Sequence, residues 1–235
     1  MAGGYWRIAS GLLLVPVAVA GLSGCSGNGT STATASVAKT SSDGGLTAAQ
    51  LRGALLTRVN GVAAAAPASS GKYSSLTTVN ISKTGAKAVQ ATPKTCTGTT
   101  ATGFNPTALA GAPAAAVTFQ VGSNGITEVL IASSAKTAST TLAKHIPAEC
   151  AKYQATIGGK TYTYGTTEQK VTGIGQQAQV LSVQAAGAKS NDLWSLIYRG
   201  KGFVGTVTVV GPNASKEAVT ELGKQAYAYA AKSLS

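Results

Sequence analysis

Groups that could move a proton or hold a metal are scarce in this chain. It carries one His, seven acids and three Cys in 235 residues. Nucleophilic catalysis of the triad kind needs a nucleophile, a base and a carboxylate that orients the base. His145 is the one candidate base, and Glu149, four residues on, is the near carboxylate. An enzyme therefore requires His145 to meet Glu149 or Glu168 tightly in a cleft. Without that, His145 is expected to be an exposed helix residue. No His lies at ligand spacing from Cys96 or Cys150, which argues against zinc, and no metal or cofactor is expected.

Two motifs suggest chemistry that their surroundings do not support. Gly173-Ile174-Gly175-Gln176-Gln177-Ala178 fits the dinucleotide pattern G-x-G-x-x-G/A. That chemistry needs the glycines between a strand and a helix N-terminus, where backbone N–H groups meet a pyrophosphate. Here the following run, AQVLSVQAA, alternates like a strand, so a Gly-rich β-turn is expected. Ser69-Ser70-Gly71-Lys72 matches S-x-x-K and Lys83-Thr84-Gly85 matches K-T-G. In penicillin-binding enzymes those motifs lie far apart, with the Ser on a helix. Here they are about a dozen residues apart beside an expected loop, so coincidence is the better reading. Asn80-Ile81-Ser82 and Asn213-Ala214-Ser215 are sequons by pattern, and the second reads as a helix cap.

The residue with the clearest chemistry is Cys25. Arg7 and the α-amino group form a short positive region, and the apolar run IASGLLLVPVAVAGL follows from Ile8 to Leu22. It is short for a transmembrane helix, which needs about 20 apolar residues, and Pro16 interrupts it. It fits the apolar region of a signal peptide. Leu22-Ser23-Gly24-Cys25 then resembles a bacterial lipobox. That resemblance implies a diacylglyceryl group on the Cys25 sulfur and cleavage just before it. A plain secretory signal, with Cys25 an ordinary residue, is the alternative. Two or more acyl chains would anchor the protein stably, where one would not.

The expected organisation is a signal peptide over 1-24, the lipidated Cys and a leash over 25-45, and a domain over 46-235. Residues 26–45 are rich in Ser, Thr, Gly and Ala. They cannot bury enough apolar area to order themselves. With Cys25 lipidated, Cys96 and Cys150 remain. Exported thiols usually pair, and a loop of about 54 residues predicts stabilisation of roughly 4 kcal/mol. Two free buried thiols are the alternative.

The elements that must position these residues follow from periodicity. Apolar residues at 48, 51, 54 and 55 predict a helix from Leu46 to Leu56, with Thr47 as N-cap. Residues 57–75 read as loop, Leu76 to Ser82 as a strand, and 83–112 carry no clear period. Ala115 to Val121 and Ile126 to Ala132 predict a hairpin around Gly122-Ser123-Asn124-Gly125. Ala135, Ala138, Leu142, Ile146 and Cys150 predict a helix over about 134–152, which Pro147 kinks or restarts as a short turn. Four strands follow: Thr161 to Thr172, Ala178 to Ala186, Asp192 to Arg199, and Phe203 to Val210. Gly200-Lys201 predicts a type II′ turn between the last two. A final helix opens at Ser215, with Ala218, Val219, Leu222, Ala226, Tyr229 and Ala230 on its apolar face. The expected fold class is α+β, a mostly antiparallel sheet with helices packed on it.

The lipobox, the polar leash, LTAAQLRGALL, a mid-chain helix carrying Cys, GIGQQA before a strand, and YRGKGFVGTVTVVG before a tail helix together resemble one family. It is that of actinobacterial lipoproteins related to the PknH-like extracellular sensor domain of membrane Ser/Thr protein kinases. The resemblance covers roughly residues 46–233 and is thin before 115. It implies the fold, an extracytoplasmic location, and an unidentified ligand or partner. The family commonly has two disulfides, whereas this chain can form one.

Composition narrows the function classes. Only 11% of residues are charged, against about a quarter in ordinary soluble domains. Hydrophobic residues reach 44%, too many for a chain disordered throughout. The net charge is +12, yet the basic residues are scattered singly, without the clusters and aromatics that nucleic-acid binding needs. Anionic lipids and acidic wall polymers are the expected electrostatic partners. The sequence is best read as a membrane-anchored, non-enzymatic lipoprotein binding an envelope ligand or protein. An envelope lipid or glycolipid carrier is the first alternative. A cell-wall-acting enzyme is the second.

Overall fold

The computed structural model describes residues 45–80, 89–97, 107–186 and 192–235. The lipobox Leu22, Ser23, Gly24 and Cys25, the leash, and Lys83-Thr84-Gly85 lie outside the described residues.

The first helix, α1 (Ala48–Gly53), starts where its sequence directs. The Thr47 hydroxyl accepts from the Gln50 N–H, and the Gln50 side chain accepts in return from the Thr47 N–H. This reciprocal pair satisfies two of the helix's unpaired donors. A two-residue hairpin follows, β1 (Arg58–Val59) with β2 (Val62–Ala63).

The remaining strands are β3 (Ser69–Lys72), β4 (Gln90–Thr92), β5 (Pro113–Val121), β6 (Asn124–Ala132), β7 (Lys152–Ile157), β8 (Lys160–Val171), β9 (Gln177–Ala185), β10 (Leu193–Arg199) and β11 (Phe203–Val210). They form one nine-stranded sheet in the order β3-β5-β6-β11-β10-β9-β8-β7-β4. Every neighbouring pair is antiparallel. The expected antiparallel sheet with helices on it is present.

Helices cover both faces of the sheet. On one face, α1 and the C-terminal helix α3 (Lys216–Ser233) pack over Val117, Leu130, Leu196, Tyr198 and Val207. On the other, α2 (Ala135–Leu142) packs over Ala116, Ile131, Ile197 and Val204. Successive strand residues point to opposite faces, so the central strands are buried almost continuously. A third cluster holds Cys96 and Cys150 with Tyr153, Tyr164 and Leu193 near the β4 edge.

Several local expectations fail for identifiable reasons. Residues 77–80 are helical, not a strand. Leu76 and Val79, three apart, are both buried, which is the helical spacing. Residues 57–75, expected as loop, contribute β1, β2 and β3. The helix expected over 134–152 ends at Leu142. A residue before proline avoids the helical region, and Pro147 instead caps the 3-10 turn Ala148–Cys150, which leads into β7. The last hairpin turns on Lys201-Gly202, since Gly200 N–H donates to the Phe203 carbonyl. Positive φ falls at Gly202, 83°, which excludes the type II′ turn expected at Gly200-Lys201. On α3, Tyr229 is exposed at 39%. It is Tyr227 that meets Tyr198, edge to face at 5.7 Å.

Candidate functional site

Strand β8 brings Glu168 up against the connection that leaves α2. His145 Nδ1 donates to Glu168 Oε1 at 2.6 Å, and the Ile146 N–H donates to Oε2 at 3.1 Å. Glu168 thus meets His145, as the enzyme alternative required, but the His145 side chain is 67% exposed. The same carboxylate also holds the backbone at Ile146, so it fastens the segment between α2 and β7 to the sheet. Glu149 lies apart from this pair and accepts from the Thr95 hydroxyl at 3.4 Å.

Cys96 and Cys150 are bonded to each other. Each sits in its own 3-10 turn, Lys94–Cys96 after β4 and Ala148–Cys150 before β7. The Thr166 hydroxyl donates to the Cys150 carbonyl at 2.7 Å. The bond therefore staples the sheet's edge strand to the chain that enters β7.

The Gly-rich motif serves the fold. Ile174 is buried, and the Gln176 N–H donates to the Arg199 carbonyl at 2.9 Å. Gly175 has φ of 60°, and a Cβ there would lie 2.3 Å from that carbonyl oxygen. Both constraints demand glycine, and the second arises from close approach to β10. The motif leads into strand β9, not a helix, so its N–H groups do not form a phosphate cradle. Ser69-Ser70-Gly71-Lys72 is likewise β3, an edge strand, where a penicillin-binding Ser would need a helix.

No protein-family model matches the chain, and neither does any curated protein. Among solved structures it is similar to the extracellular domain of PknH from Mycobacterium tuberculosis. The TM-score is 0.41 and the identity 14%, over 61% of this chain and 76% of that one. It is also similar to an uncharacterized protein (the Rv0999 ortholog) from Mycobacterium smegmatis. There the TM-score is 0.37 and the identity 13%, over 74% of this chain and 84% of that one.

One ionisable residue escaped the reading of the sequence. Glu128 lies in the middle of β6 and is 1% exposed. Its Oε2 accepts from the Leu56 N–H at 2.8 Å, while Oε1 has no hydrogen-bond partner among the described residues. Burial pushes its carboxyl up to about 7, against the smaller opposing pull of the Leu56 bond. The signal was present in Ile126-Thr127-Glu128-Val129-Leu130, where an acid shares parity with two apolar residues. Tyr198 stands on the same face, fully buried, and its hydroxyl has no partner among the described residues either. Burial raises its pKa well above the ordinary value, and the charges of Glu128 and Tyr227 push the same way.

Proposed function

We propose that this chain is a membrane-anchored lipoprotein that holds its domain on the extracytoplasmic side, where it binds an envelope ligand or protein partner without catalysing a reaction. The observation that carries this reading is Leu22-Ser23-Gly24-Cys25 at the end of a short apolar run. A diacylglyceryl thioether at Cys25, with cleavage before it, makes residues 1-24 the discarded signal and 25-45 the tether. The Cys96–Cys150 bond suits this placement, because disulfides persist in oxidising compartments. Glu168 is committed to holding the chain at Ile146, which suits a binding domain better than an acid–base site.

Mass spectrometry of the protein extracted gently from its native envelope tests the proposal. The expected N-terminus is Cys25 carrying acyl chains, with any bound small molecule visible in the same spectrum. An unmodified Cys25 thiol on the mature protein would sink the anchoring, as would a Cys25→Ser variant that matures fully and stays on the membrane.

A further inference from the structure

Glu128 sits under the segment that runs from α1 to β1. Its Oε2 holds the Leu56 N–H, just past α1. From that segment Leu51, Ala54, Leu55 and Val59 are buried on the same face of the sheet. The helix is only six residues long, too short to hold itself together without that contact. Val117 of β5 and Val207 of β11 stand directly opposite it in the ladders on either side. The segment including α1 therefore covers the carboxyl from outside the sheet, where Leu56 itself is only half-buried.

Tyr198 reaches toward the same place from β10. Its ring lies across Gly205 of β11, where a Cβ would meet Tyr198 Cζ at 2.2 Å and the hydroxyl oxygen at 2.5 Å. Beyond β11 lies β6, where Leu130 pairs with Gly205 and Glu128 with Val207. The hydroxyl thus points across β11 toward the strand that carries Glu128. Among the described residues, the titratable group coupled to Glu128 is Tyr198, with Tyr227 of α3 against its ring. Arg52, the charged residue of α1, is exposed. No cation meets the carboxyl among the described residues.

We propose that Glu128 is a proton-operated latch on residues 51–59: protonated, it stays in the core with the segment seated over it, and ionised, it favours opening of the segment to water. An ionised carboxylate in an apolar core must find a counter-charge or water. Here the route to water is outward past Leu56. The open segment returns the carboxyl to its ordinary affinity for protons. Opening is therefore rarest in acid, grows as pH rises from about 4.5, and levels off above about 7.

Hydrogen exchange on the full-length protein, corrected for the intrinsic rate at each pH, tests the latch. Amides 51–59 are expected to be less protected than those of β10 and β11 at both pH values, and their own protection to fall about 40-fold between pH 5 and pH 7, given the carboxyl's rise from 4.5 to about 7. In Glu128→Gln that fall is expected to vanish. Protection of amides 51–59 that stays constant with pH in the unmutated protein would overturn the proposal, as would protection equal to that of β10 and β11, and so would an undiminished pH dependence in Glu128→Gln. Should Glu128→Gln fail to fold, the carboxyl carbon of Glu128 in the unmutated protein decides by NMR titration. A midpoint near 7 supports the latch, and one near 4.5 overturns it.

Discussion

At Gly205 one missing side chain shapes the core. The Tyr198 ring occupies the place where a β-carbon would stand, 2.2 Å from its Cζ. The ring is also fixed edge to face by Phe203 at 6.2 Å and by Tyr227 at 5.7 Å. It has nowhere to retreat. Gly205→Ala is expected to destabilise the protein by about 1–3 kcal/mol, the usual range for overpacking. Urea denaturation measures this. Tyr198→Leu in the same chain should recover part of the loss, because the two changes share one space. An unaltered midpoint in Gly205→Ala would mean that the ring does not rest on the glycine. None of this was legible in the sequence. Glycine in YRGKGFVGTVTVVG reads as punctuation until the register places Gly205 opposite Tyr198.

At the scale of elements, legibility followed burial and length. β9, β10 and β11 were readable because seven to nine residues of β-branched or alternating sequence lie between turns. β3 and β4, with three or four mostly polar residues at the sheet edges, carry too little pattern to declare themselves. Leu76 and Val79 mislead because a short apolar spacing serves a helical turn as well as a strand. The Cys96–Cys150 bond compensates for the weakness of the β4 edge. Its hydrophobic cluster is small, and among the described residues β4 pairs with β7 alone. Replacing both cysteines by serine is expected to cost about 2–4 kcal/mol. Because the bond joins the turns beside β4 and β7, exchange protection should fall there first, while β6, β10 and β11 keep theirs. Uniform loss across the sheet would show that the bond supports the whole domain and not its edge.

Across the whole molecule the balance of charge is more basic than a count of residues implies. All seven acids lie after Cys25, and Arg7 is the one basic residue before it, so cleavage there leaves +11. Two of those acids, Glu128 and Asp192, are buried, and Glu168 is bonded to His145. The exposed acids among the described residues are Glu149, Glu217 and Glu221, the last of them 3.9 Å from Lys224. Lys136 on α2 and Lys144, Lys152, Lys160, Lys170 and Lys201 along the strands and their connections are exposed. Held beside anionic lipid by the proposed anchor, a protein charged in this way would be drawn to that surface, with salt screening the attraction over about 10 Å at 0.1 M. The unlipidated domain, made as a Cys25→Ser chain lacking the first 24 residues, should therefore bind vesicles containing phosphatidylglycerol. It should not bind purely zwitterionic ones. Co-sedimentation is expected to fall several-fold between 50 and 300 mM salt. Equal binding to both kinds of vesicle, or binding that salt leaves unchanged, would place the interaction in apolar contact and remove the electrostatic account.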